Sequence, residues 1–208
     1  MGLSDTIKQA FDTEGSTITL QEFLVRLDAH SFGVLLVVVS LPSLIPAFPG
    51  FATPFGFLAG ALAIQMLRGR AIPWFPKKVL NRPMKPLKRN RIMRGALWVL
   101  KKIEVIVKPR GGELMQSRRF QRFLTYVVLA CAISMAMPVP GTNSLPALGI
   151  ILIGLAMTEE DSVSAYFGVF WAVVGIGVTT AVFILLTKYG FAGAESAYEA
   201  IKDWLLRR

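Results

Sequence analysis

The chain has 208 residues, 53% hydrophobic and 17% charged, with a mean hydropathy of +0.53 and a formal net charge of +10. That balance leaves too few polar side chains to cover a soluble globule and argues against a water-soluble enzyme domain, so lipid is the expected solvent. A surplus of cations on so apolar a chain calls for an anionic partner, either nucleic acid or the anionic headgroups of a cytoplasmic leaflet, and the distribution of the charge must decide.

Residues 1–30 read as an N-terminal interfacial region in which Leu20, Phe23, Leu24 and Leu27 share one helical face behind Thr19 as a cap. They contain no apolar run with a small-residue cleavage site, so no signal peptide is expected. Residues 31–67 carry no charged side chain, yet Pro42, Pro46, Pro49-Gly50 and Pro54 punctuate them, which no single straight helix would contain. Two helical arms joined by a broken backbone are predicted here, a first hairpin.

Residues 68–122 change character, with about 17 Lys or Arg against Glu104 and Glu113 alone, and the positive-inside rule makes them cytoplasmic. Within them Ile92, Ala96, Val99, Leu100, Ile103 and Val107 follow helical spacing among Arg94, Lys101, Lys102 and Lys108, which predicts an amphipathic helix on the inner leaflet. Because these cations adjoin membrane segments on both sides, anionic lipid is the expected partner and nucleic acid is not.

A second uncharged stretch, residues 123–158, is broken at Pro138, Pro140-Gly141 and Pro146, and Glu159-Glu160-Asp161 closes it as an exposed cap. Residues 163–187 then run without charge or proline, long enough for a transmembrane helix. Residues 194–208 place Tyr198, Ile201, Trp204 and Leu205 at helical spacing, a C-terminal interfacial helix. The chain is therefore read as a single all-α integral membrane domain. Its expected parts are two Pro/Gly-broken hairpins, re-entrant or short spanning, a transmembrane helix and interfacial amphipathic helices.

The hairpins resemble one another. Pro46 to Pro54 and Pro138 to Pro146 span equal intervals, and each break holds a Pro-Gly pair, so an internal repeat is expected, parallel or inverted. Proline removes backbone donors, and lipid offers no substitute partner, so broken backbone at depth must face protein or water. Pro46, Pro49, Gly50, Pro54, Pro138, Pro140, Gly141, Asn143 and Pro146, with Gln65 nearby, are accordingly the expected lining of a substrate pathway. Thr142, Asn143 and Ser144 are placed either to satisfy freed backbone groups or to bind a polar ligand.

Three ordered blocks of this sequence resemble the ExoD family of bacterial exopolysaccharide-synthesis membrane proteins. The first is Pro46-Ala47-Phe48-Pro49-Gly50 followed by Ala63-Ile64-Gln65-Met66-Leu67-Arg68-Gly69-Arg70 and Pro73-Trp74-Phe75-Pro76. Phe75 stands there in place of the family's leucine. The second is Leu100-Lys101-Lys102-Ile103-Glu104 leading to Lys108-Pro109-Arg110, and the third is Pro138-Val139-Pro140 with Asn143 and Pro146-Ala147-Leu148. Glu159-Glu160-Asp161-Ser162 departs from the Asp-Gly that the family pattern has after the final arm. The resemblance implies a bacterial inner-membrane location and a role in assembling or exporting surface polysaccharide.

Catalytic chemistry finds little support. His30 is the sole histidine, the sole thiol, Cys131, lies in an apolar run, and no metal-ligand spacing or phosphate loop occurs. No enzymatic activity and no cofactor are expected. Arg68 and Arg70 beside Trp74, with Lys101, Lys102 and Arg110, are candidates for anionic headgroup or phosphate contact, since guanidinium presents forked donors. Glu104 is placed to pair with Lys101 and Lys108 on a helix surface. Two function classes follow: a protein that transports or positions a polyprenyl-phosphate carrier, or a non-transporting scaffold that engages a polysaccharide synthase. The small apolar core leaves a homodimer open on either reading.

Overall fold

The computed structural model describes residues 31–44, 50–80, 112–137, 139 and 141–206, and every regular element among them is helical. The predicted N-terminal and amphipathic helices of residues 1–30 and 92–108 lie outside the described residues. Helix α1 (Ser31–Ser40) continues into a 3-10 turn, Leu41–Leu44. Helix α2 covers Thr53–Leu67, and one-turn helices α3 (Lys77–Leu80) and α4 (Gly112–Gln116) flank the undescribed basic segment. Helices α5 (Arg118–Ala136), α6 (Ser144–Glu159) and α7 (Ser162–Leu206) follow, α7 being interrupted at Gly190 with φ 70°.

Proline placement explains where the arms begin. Pro54 and Pro146 stand in the first turns of α2 and α6, where a missing N–H would have no intrahelical partner anyway. They start the second arms and do not interrupt them. Helix α1 is buried on all sides from Ser31 to Val37, as expected of a valine-rich helix with no polar face.

Close approaches through small residues fix which helices pair. A Cβ on Gly33 of α1 would collide with the Thr158 hydroxyl and lie 2.5 Å from the Gly154 carbonyl oxygen of α6. Since the far end of α1 also meets the start of α6, where Ser144 Oγ donates to the Leu44 carbonyl at 3.4 Å, these two helices are antiparallel. Likewise a Cβ on Gly56 of α2 would lie 2.7 Å from the Ala136 nitrogen of α5, and Gly60, one turn on, faces Ala132. Helices α2 and α5 are therefore antiparallel too.

Helix α7 closes the bundle along α6. Gly149 meets Ala172, Gly168 meets Ile153, and a Cβ on Gly175 would lie 2.5 Å from the Pro146 nitrogen. Small residues at such crossings let backbones approach and gain dispersion contact, which dominates helix association where lipid removes the hydrophobic drive. The segment Ser162–Lys188 is 27 residues long and apolar enough to cross a membrane. Most of this segment is exposed or half-buried, so it lies on the outside of the bundle and not in its core. Tyr166, Phe167, Phe170 and Val173 point outward on it.

The α6–α7 corner shows why three consecutive acids behave differently. Glu160 ends α6 in the left-handed region, φ 52° and ψ 38°, a conformation that suits glycine. Asp161 is the N-cap of α7: its Oδ1 accepts from Val163 N–H at 3.0 Å and its Oδ2 from the Ser164 hydroxyl at 2.6 Å. The expected cap is thus present, but Asp161 is buried where an exposed group was anticipated. The tight turn between antiparallel α6 and α7 folds it inward.

Candidate functional site

The helix ends that flank the two breaks lie in one region of the bundle, because the 3-10 turn after α1 meets the start of α6 and the start of α2 meets the end of α5. Their following turns are built alike. Gly50 has φ 86° and Gly141 φ 73°, with no atom near a hypothetical Cβ at either, so backbone conformation alone calls for glycine. Three residues after each glycine a helix begins at a hydroxyl residue, Thr53 or Ser144. Neither Ala52 nor Asn143 caps its helix with a side-chain bond.

Polar atoms without partners gather at these four helix ends. Ser40 and Ser43 Oγ precede the first break and Thr53 Oγ1 follows it, while Ser134 Oγ precedes the second and Asn143 Oδ1 follows it; all five atoms are buried and have no hydrogen-bond partner among the described residues. A buried polar atom left dry costs about 1–3 kcal/mol, so five such atoms flanking two breaks mark a place suited to a polar occupant. Not every polar group is idle, since Thr142 Oγ1 donates to the Val139 carbonyl at 3.4 Å and Ser144 to Leu44. Those two hydroxyls serve the broken backbone; Asn143 Oδ1 does not.

No side chain in residues 31–67 or 123–158 carries a charge. Whatever electrostatic attraction the junction offers to an anion comes from the N–H groups and dipoles at the starts of α2 and α6, about half a positive charge per helix end. The depth of the junction is fixed by Pro146, which is buried against Gly175, and Gly175 lies thirteen residues from either end of Ser162–Lys188. The start of α6 therefore sits level with the middle of the one described helix long enough to span.

The expected pathway residues divide. Gly50, Gly141, Asn143, Pro54 and Pro146 flank the junction, whereas Pro46, Pro49, Pro138 and Pro140 lie outside the described residues. Gln65 stands twelve residues beyond Thr53, about 18 Å along α2 by the helical rise, and its amide is engaged with the Trp74 backbone instead. Arg68 and Arg70 are exposed at that far end, and Lys101, Lys102, Glu104 and Arg110 lie outside the described residues. Ser40, Ser43, Thr53 and Ser134 escaped the sequence reading. Their signal was there, since apart from Ser31 and Gln65 the first uncharged stretch has only three hydroxyl or amide side chains, and all three bracket the break.

Residues 3–181 match the family described as "Exopolysaccharide synthesis, ExoD". The chain belongs to the ExoD family. It is 34% identical over 207 residues to the uncharacterized protein slr1875 of Synechocystis, covering 98% of this chain and 95% of the relative. It is 29% identical over 198 residues to protein ExoD of Rhizobium meliloti, covering 93% and 80% respectively. No solved structure matches. ExoD membership connects the chain to exopolysaccharide synthesis. Among the described residues no three His, Cys, Asp or Glu side chains come together as a metal site would require.

Proposed function

We propose that this ExoD-family protein is a multi-pass protein of the bacterial inner membrane that assists exopolysaccharide synthesis or export by moving or positioning an anionic, phosphate-bearing lipid carrier. The observation that carries the reading is the set of five buried, unpartnered polar atoms flanking two helix breaks at the mid-level of the apolar helix Ser162–Lys188. In this reading the arms α1–α2 and α5–α6 are two re-entrant hairpins related by an internal repeat. The pairing of α1 with α6 and of α2 with α5 supports it, because a two-fold exchange of the hairpins turns one pair into the other. The like backbone at Gly50 and Gly141 supports it as well.

The chemistry follows from what lies at the junction. Hydroxyls, an amide oxygen and two helix starts supply donors and acceptors, so a phosphate group gains hydrogen bonds there that the hydrocarbon denies it. With no lysine or arginine in residues 31–67 or 123–158 the headgroup is not held by a full charge at the junction, which suits passage over tight retention. The carrier's hydrocarbon chain stays in lipid beside the exposed face of α7.

Reconstitution in liposomes tests the proposal by following transbilayer movement of a labelled polyprenyl phosphate with the natural protein and with Asn143→Ala. Movement that requires the protein and slows in the variant supports the transport reading. No movement by folded, inserted protein sinks it and favours the scaffold, which would engage a synthase through its basic face.

A further inference from the structure

A second constructed feature occupies the opposite end of α2. The helix stops in a Schellman motif in which Gly69, φ 74°, donates to the Met66 carbonyl at 2.9 Å and Arg70 N–H to the Gln65 carbonyl at 3.3 Å. The chain then turns back, and Gln65 grips it. Trp74 N–H donates to Gln65 Oε1 at 2.6 Å while Gln65 Nε2 donates to the Trp74 carbonyl at 3.2 Å. This double bond-pair fixes the backbone of Trp74 without covering its ring.

Side chains of the clamped loop alternate in direction. Pro73 is buried and Phe75 packs on the core, whereas Ile72 and Trp74 remain 41% and 58% exposed. The Arg70 guanidinium lies 6.0 Å from the Trp74 ring centroid. Arg68, Arg70, Lys77 and Lys78 are all exposed, and no acid occurs from Arg68 to Leu80. Antiparallel packing of α2 on α5 sets this loop at the α5 start, where Arg118, Arg119 and Arg122 are exposed as well.

An outward tryptophan and isoleucine, rigidly held and ringed by cations of one sign, suit a membrane surface better than water. We propose that the clamped loop Arg68–Lys78 is a docking surface for the anionic phospholipid headgroups of the adjoining leaflet. Ile72 and Trp74 enter the interfacial layer while Arg68, Arg70, Lys77 and Lys78 bind the phosphodiester groups. Gln65 is the positioning residue, since it presents the loop without touching lipid. The proposal is independent of carrier movement, because its residues stand at the other end of α2 from the breaks.

The test uses the full chain in phosphatidylcholine liposomes with Trp98, Trp171 and Trp204 replaced by phenylalanine, so that Trp74 alone fluoresces. Brominated phosphatidylglycerol at a minor fraction should quench Trp74 more strongly than brominated phosphatidylcholine at the same fraction. Arg68→Gln and Arg70→Gln should each lower that preference about fivefold, and added salt should weaken it. Gln65→Ala, which keeps every cation, should broaden the Trp74 emission and reduce the preference. Equal quenching by the two brominated lipids, or a preference that survives Arg68→Gln/Arg70→Gln in protein whose Cys131 stays protected from thiol reagents, overturns the proposal.

Discussion

Gly175 and Gly177 offer the same substitution two residues apart on one helix with opposite expected effects. A Cβ on Gly175 would meet the Pro146 nitrogen at 2.5 Å, the Pro146 Cδ at 2.7 Å and the Leu145 carbonyl carbon at 2.8 Å, whereas one on Gly177 would meet nothing within 4 Å. Replacing glycine by alanine inside a helix gains about 1 kcal/mol from backbone propensity. At Gly175 that gain is set against an overpacking cost of about 1–3 kcal/mol, toward the upper end because the obstacle is mainly backbone and a proline ring that cannot rotate aside. Gly175→Ala should therefore lose about 1–2 kcal/mol, or about 2–8 °C in Tm for a chain of this size, and Gly177→Ala should gain about 2–4 °C. Cys131 is buried and is the chain's one thiol, so a thiol-reactive fluorophore in mild detergent reports unfolding directly. Equal shifts of the same sign would refute the docking of the second break against Gly175.

Three further outcomes follow from local geometry, read by the same unfolding assay and, for the last, also by the liposome assay of carrier movement. Glu160→Gly should stabilise the protein by about 1 kcal/mol by relieving a left-handed residue, while Glu159→Gly inside α6 should destabilise it by a similar amount. Asp161→Ala should lower stability by about 1–2 kcal/mol through loss of the α7 cap and an orphaned Ser164 hydroxyl, and Asp161→Asn should recover most of it. Ser43→Ala should be close to neutral for folding, since it removes a polar atom that has no partner, yet slow carrier movement.

Much of the architecture was legible because it rests on local rules. The uninterrupted run that became Ser162–Lys188 needed only length and the absence of charge, and the Pro-Gly pairs announced the turns that place Gly50 and Gly141 at positive φ. Pairing of the arms was not legible, since Gly33 meets Thr158 and Gly56 meets Ala136 across distances in sequence that no periodicity encodes. Gln65 shows the same limit: an amide in an apolar arm signals a needed partner, but the Trp74 backbone that supplies it depends on how the following loop turns back. The three acids Glu159, Glu160 and Asp161 look equivalent in sequence and differ in the fold because the tight corner gives Glu160 a left-handed backbone and makes Asp161 a buried cap.

A polar junction open to a headgroup at the middle of the bilayer, as proposed, would admit a water-borne reagent, and cysteine accessibility is its most direct test. In a Cys131→Ala background, Asn143→Cys and Ser43→Cys proteins in liposomes are treated with a membrane-impermeant charged thiol reagent, beside Phe170→Cys on the exposed face of α7. The first two should react and be protected by polyprenyl phosphate, and the third should stay inert. Junction cysteines as inert as the lipid-facing one would contradict the proposal.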